Sequence, residues 1–124
     1  VRLWHQELIP KLPNKQLLGQ HRECCALRGK GWGRKHATVD YVFKYPPITL
    51  YFYHQKIMHE MDIRGYKVAP EWRDQSYRGK NCKRWTMERF FCGVLYPSEF
   101  IEHNDNYLRE CLNNLANKGV VIDF

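Results

Sequence analysis

The chain has no apolar run approaching the roughly 18 residues needed to cross a bilayer as a helix, and no charged leader feeding an apolar segment at its start. Membrane insertion and secretion are not expected. Also missing are a Walker-type phosphate loop, a GxSxG elbow, an HExxH helix, a CxxC pair and any set of spaced carboxylates suited to two-metal chemistry. Those absences take most of the weight from hydrolase and metalloenzyme readings. Negative charge is scarce as well: 13 acidic residues face 20 basic ones, a net charge of +7. The five cysteines are odd in number and include the adjacent pair Cys24-Cys25, which argues against a disulfide framework and for a reducing, cytoplasmic, nucleoid-associated setting.

What is present is enough to fold. With 124 residues, 44% of them hydrophobic and 15% aromatic, the chain can build one modest core and not two, so residues 1-124 read as a single domain. The positive charge is uneven. Residues 1-44 hold nine Lys/Arg against three Asp/Glu, residues 45-89 nine against five, and residues 90-124 two against five. A positive field over two-thirds of the chain draws polyanions, and phosphate contact releases counterions.

Periodicity points to an all-α fold of about three main helices with long ordered loops. After Pro13, with Asn14 as the expected cap, KQLLGQHRECCALR carries Leu17, Leu18, Cys24, Cys25 and Leu27 at helical spacing. The run from Arg28 to His36 then holds three glycines and four basic residues, a loop able to approach another surface closely. Pro46-Pro47 opens a second helix over 47-64, on which Leu50, Tyr51, His54, Ile57, Met58 and Met61 recur until Arg64-Gly65. Segment 66-89 lacks periodicity and reads as a long ordered loop, and a short apolar stretch follows from Phe90 to Tyr96. A third helix places Tyr107, Leu108, Cys111, Leu112 and Leu115 on one face and stops at Gly119. The endings MDIRGYKV and LANKGVVI are alike, but two matches do not make a repeat array.

His21, Cys24, Cys25 and His36 could be offered as zinc ligands, yet adjacent cysteines do not both aim at one tetrahedral ion, and packing explains the thiols better. No metal and no cofactor is expected. What remains is an amine, a carboxylate and guanidinium groups. An α-amine titrates near ~7.7-8.0, so much of it is neutral and nucleophilic at physiological pH, a ready Schiff-base former.

Val1-Arg2-Leu3, QLLGQHRE from Gln16 to Glu23, then Arg28 and GRKH, together resemble the pyrimidine-dimer DNA glycosylase/AP lyases of the phage endonuclease V type, in particular a short bacterial branch. The likeness returns more weakly over Gly93 to Ile122. It implies a compact helical domain with the N-terminus threaded between helices, acting as a monomer on double-stranded DNA with damaged or modified bases. In that frame Val1 attacks deoxyribose C1′ and Glu23 stabilises the imine and moves protons, while Arg2, Arg22 and Arg28 grip phosphates. Gln16 stands where the family has a polar histidine and is a candidate DNA-contacting residue that helps order the site. His21 replaces the usual aromatic before Arg-Glu, where it either contacts DNA or packs beside the apolar stripe, packing being favoured. The phage enzyme's aromatic C-terminal tail has no counterpart, so the substrate is a damaged or modified pyrimidine, a pyrimidine dimer being one example. Trp32 and Trp85 are candidate wedges, with core packing as the alternative for both, while Trp4 and Trp72 are assigned to packing. Lys30, Arg34, Lys35, Arg78, Lys80, Lys83 and Arg84 form an expected phosphate rim. Two other readings stay open: a noncatalytic basic DNA-binding module, and a protein-interaction domain whose basic face meets an acidic partner.

Overall fold

The computed structural model describes residues 2-34, 38-91 and 99-122. Among them it is all-helical with no strand: α1 (Asn14–Arg28), α2 (Pro47–Ile63), a short α3 (Met87–Phe91) and α4 (Asp105–Asn117), with 3-10 turns at Gln6–Lys11, Asp40–Lys44 and Pro70–Arg73.

Helix α2 is the central element. Pro46 and Pro47 preset its start, with Pro47 at a position where the missing N–H costs nothing. Its stripe continues round the helix, because α2 is enclosed on two sides. Leu50, Tyr53, Ile57 and Met61 enter the main core with Leu3, Leu8, Leu17, Leu27, Cys111 and Leu115. Ile48 and Tyr51 instead meet Trp85 and Phe90 in a second cluster. Helix α4 is a simple amphipath that buries Cys111 and Leu115, capped by Asn104 accepting from the Tyr107 N–H.

The similar endings of α2 and α4 are the same C-terminal device. The Tyr66 N–H reaches the Met61 carbonyl at 2.9 Å, and the Val120 N–H reaches that of Leu115 at 2.8 Å. Gly65 at φ 84° and Gly119 at φ 83° supply the left-handed residue that this Schellman closure needs. At the start of α1 the cap is Pro13, one residue before the expected Asn14. The Asn14 carboxamide instead accepts from Arg64 at 3.0 Å, which also donates to the Leu12 and Pro10 carbonyls and ties the end of α2 to this turn.

The aperiodic loop after α2 is held by two arginines exchanged with the end of α1. Arg28 donates to the carbonyls of Trp72 (3.0 Å), Asp74 (2.8 Å) and Tyr77 (2.9 Å). Arg78 returns two bonds to the carbonyls of Arg28 (2.8 Å) and Gly29 (3.0 Å) and lies 3.8 Å from the Trp85 ring centroid. A Cβ on Gly29 would stand 2.8 Å from the Arg78 carbonyl oxygen, so a larger residue would push the loop away. Arg28 is only 2% exposed. Replacing it with Met should leave three part-buried carbonyls without their donor and cost about 3 kcal/mol. Urea unfolding of Arg28→Met, with limited proteolysis reading earlier cleavage between residues 72 and 86, checks this.

Candidate functional site

Residues 2-4 run extended between α1, α2 and α4. The Gln20 carboxamide of α1 straddles them, its Nε2 donating to the Arg2 carbonyl at 2.7 Å and its Oε1 accepting from the Trp4 N–H at 3.0 Å. From α2, the Tyr53 hydroxyl lies 2.6 Å from the Trp4 carbonyl oxygen and 2.8 Å from Gln20 Oε1, its one proton shared between the two acceptors. From α4, the Tyr107 hydroxyl donates to the Leu3 carbonyl. Arg2 itself pairs with Glu110 at 3.1 Å.

Beside this strand lies a cleft of about 510 Å³, lined by Arg2, Trp4, Lys15, Gln16, Gly19, Gln20, Arg22, Glu23, Thr38, Asn114 and Lys118. It joins four of the expected site residues: Arg2, Gln16, Arg22 and Glu23. The same lining carries the cations Arg2, Lys15, Arg22 and Lys118 together with Glu23, a net positive field that draws phosphate. Lys15, Gln20, Thr38, Asn114 and Lys118 are additions. Asn114 and Lys118 follow Glu110 at four-residue steps, so one polar face of α4 closes the cleft. That face was visible as the complement of the apolar one, but nothing in the sequence told where it docks.

A second recess, about 320 Å³, opens one turn further along α1 and brings together Lys30, Arg78 and Lys80 with Cys25, Ala26, Asn81 and Cys82. Arg34 and Lys83 are exposed. Arg84 is engaged with Asp74 and lies over the Tyr77 ring. Val1 and Lys35, like His36 and the stretch 92-98, lie outside the described residues.

Two expectations change, those for Arg28 and Trp85. Arg28 is enclosed, and its terminal nitrogens are bonded to backbone carbonyls and to His54, so in this arrangement it holds the loop and does not face a phosphate. Trp85, 8% exposed, is core and not a wedge. Trp32 sits half-buried, edge-on to Phe43 and Trp85.

His21 is half-buried and its ring is turned to His54 and Cys25, in keeping with the packing reading. Arg28 Nη1 lies 2.9 Å from His54 Nδ1, and His54 Nε2 lies 2.9 Å from His21 Nδ1. Because an arginine only donates, His54 Nδ1 accepts. Its proton therefore sits on Nε2 and is donated to His21 Nδ1, which leaves the His21 proton on Nε2, 3.8 Å from the Cys25 sulfur. His21, Cys25 and His54 have ligand atoms within 4.8 Å of one another. Coordination by His54 Nε2 would require an imidazolate facing an arginine, so the cluster reads as a hydrogen-bond relay.

The family model for pyrimidine dimer DNA glycosylase matches residues 1-74, more than half of the chain. The chain belongs to this family. No curated protein and no solved structure matches it. The family implies DNA as substrate, and the matched segment contains the N-terminal strand, α1 and every lining residue of the larger cleft except Asn114 and Lys118. No helix among the described residues is long and apolar enough to cross a membrane.

The buried histidines carry a pH signature. Burial, with Arg28 and His21 beside it, holds His54 well below the usual histidine range, and burial with Arg28 and Arg22 lowers His21. Burial, then His5 and Lys56, pushes His103 down to about 3. These rings are neutral when folded and take up protons on unfolding below about pH 6.5, so the unfolded state binds more protons there. Stability is thus full above about pH 6.5 and falls as the pH drops towards 3. In urea titrations from pH 7.5 to 4.5, His103→Phe should leave the slope near pH 7.5 almost unchanged and lower it by close to one proton, about 1.4 kcal/mol per pH unit, between about pH 5.5 and 4.5.

Proposed function

We propose that this chain is a DNA glycosylase with AP lyase activity, acting through the α-amine of Val1 at a damaged or modified pyrimidine. The observation that supports it is the cleft itself: in a member of this family, the strand that begins at Arg2 shares one cation-rimmed cavity with Arg22 and Glu23. The amine forms a bond to C1′ as the bond from C1′ to the base breaks and the base leaves with the electron pair. Loss of a proton from nitrogen and opening of the sugar give the imine. Removal of a C2′ proton then expels the 3′ phosphate. Glu23 stabilises the cationic intermediates and moves these protons, and Arg2, Arg22, Lys15 and Lys118 hold the flanking phosphates.

The two recesses are set along one helix. From Gly19 in the first to Ala26 in the second is about 10 Å at ~1.5 Å per residue, or about three base-pair steps of duplex at ~3.4 Å per nucleotide along each strand. Lys30 and Lys80 then have the spacing to meet the backbone beyond the lesion, while Arg78 is taken up by the Arg28 and Gly29 carbonyls and the Trp85 ring.

The chemistry requires that Val1 be the first residue of the mature protein, which intact-mass measurement reads directly. Borohydride reduction on an abasic duplex should yield a covalent adduct that maps to Val1. Glu23→Gln should cut strand cleavage about 100-fold or more while DNA binding persists. No adduct, or one that survives blocking of the α-amine, overturns the proposal; salt-sensitive binding indifferent to Glu23→Gln would point to a noncatalytic DNA-binding module. In salt titrations of duplex affinity, Arg22→Ala and Lys118→Ala should each reduce the log–log slope by about 0.9. Lys67→Ala, exposed and outside both recesses, should leave it unchanged.

A further inference from the structure

From the bonds around residues 2-4 we infer that Gln20 is a positioning residue for the N-terminal amine, an inference that rests on the reading of Val1 as the nucleophile. Gln20 is 5% exposed and sits on the buried side of α1, where a leucine would serve packing alone. Its carboxamide instead does to the strand what a neighbouring β-strand would, giving an N–H to the Arg2 carbonyl and taking one from the Trp4 amide. The orientation of the amide is fixed by its partners, since a carbonyl only accepts and a backbone N–H only donates. The Tyr53 hydroxyl sits between the carboxamide oxygen and the Trp4 carbonyl and shares its one proton with them, which links the pair to α2.

This arrangement fixes register. A slip of one residue moves the strand about 3.3 Å and brings mismatched donors and acceptors to the carboxamide. The amine is one residue before Arg2, and by covalent geometry its nitrogen lies within about 5.3 Å of the Arg2 Cα. Its position therefore inherits whatever fixes the Arg2 peptide. An error of about 1 Å at a reacting atom costs on the order of 100-fold in rate, so the carboxamide acts on the chemistry without touching substrate.

Three variants test this. Gln20→Met deletes both bonds without adding charge. Gln20→Glu keeps the acceptor, loses the donor and sets a carboxylate beside the Arg2 carbonyl. Tyr53→Phe removes one hydroxyl. With wild type giving a Val1 adduct, both Gln20 variants should trap about 10- to 100-fold more slowly at saturating DNA, with affinity for a duplex carrying a reduced, unreactive abasic site within about twofold of wild type. In Gln20→Glu alone, the pH midpoint for imine formation should move to the alkaline side, because the added carboxylate favours the protonated amine. A lower melting temperature with an unchanged trapping rate per folded molecule and an unchanged pH midpoint would mean that Gln20 only packs, and would overturn the inference while leaving the Val1 chemistry standing. If neither Gln20 variant folds, Tyr53→Phe decides: slower trapping at unchanged DNA affinity supports the inference, and an unchanged rate overturns it. Wild type without a Val1 adduct removes the amine chemistry and this inference together.

Discussion

Enclosing the charge of Arg28 is the constraint on which the rest of this small protein turns. A guanidinium out of water costs several kcal/mol unless its donors are met, and among the described residues no carboxylate forms a salt bridge with this one. Its two terminal nitrogens are met by three backbone carbonyls of the 72-77 loop and by His54 Nδ1, the ring faces of Tyr51 and Trp72 lie beside it, and only its buried Nε is left without a partner. The dependence runs both ways. A loop with little apolar periodicity cannot be held by core packing, and its carbonyls need donors once they are covered. Arg28 supplies the donors, the loop supplies the enclosure, and the two bonds from Arg78 to the end of α1 close the exchange.

Helix α1 is unusual in burying two polar side chains, Gln20 and Arg28, beside Leu17, Cys24 and Leu27. Towards its middle Gln20 holds the N-terminal strand, and at its end Arg28 holds the loop. Between them His21 passes the hydrogen-bond chain from Arg28 through His54 to Cys25, at the lip of the smaller recess. One helix thereby builds the wall of two recesses, with its outward residues Lys15, Arg22 and Glu23 in the first and Ala26 in the second. The cost is a thinner apolar stripe, which is offset by α2, apolar round most of its circumference.

The helices were legible in the sequence because their signals are local. Pro46-Pro47 and Gly65 bracket α2, the stripe from Leu50 to Met61 is buried throughout, and Gly119 ends α4. The likeness of the two helix endings was visible too, and its cause is a shared closure, not a repeat. Within the site, Arg2, Gln16, Arg22 and Glu23 share a cleft as the motif suggested. Arg28 was misplaced for a physical reason: a basic residue opening a glycine-rich basic loop looks like phosphate contact, and only its partners 44 to 49 residues away turn it inward. Gln20 went unremarked because a glutamine in a helix carries no signal of its own. Its meaning lies in the strand 16 to 18 positions earlier.

That contrast bears on how a site of this kind can be built at all. A lysine nucleophile is carried on its own flexible stem, whereas a chain-terminal amine can be placed only by placing the backbone next to it. End residues of a domain are ordinarily poorly ordered unless tied down. Here the tying groups come from three helices: Gln20 of α1, Tyr53 of α2 and Tyr107 of α4 reach successive peptide groups of residues 2-4. None of the three is near the strand in sequence, so the strand is held only when all three helices are packed. Ordering residues 2-4 and folding the core are then a single event, and the hydrogen-bonding residues in this core are the ones through which the two are coupled.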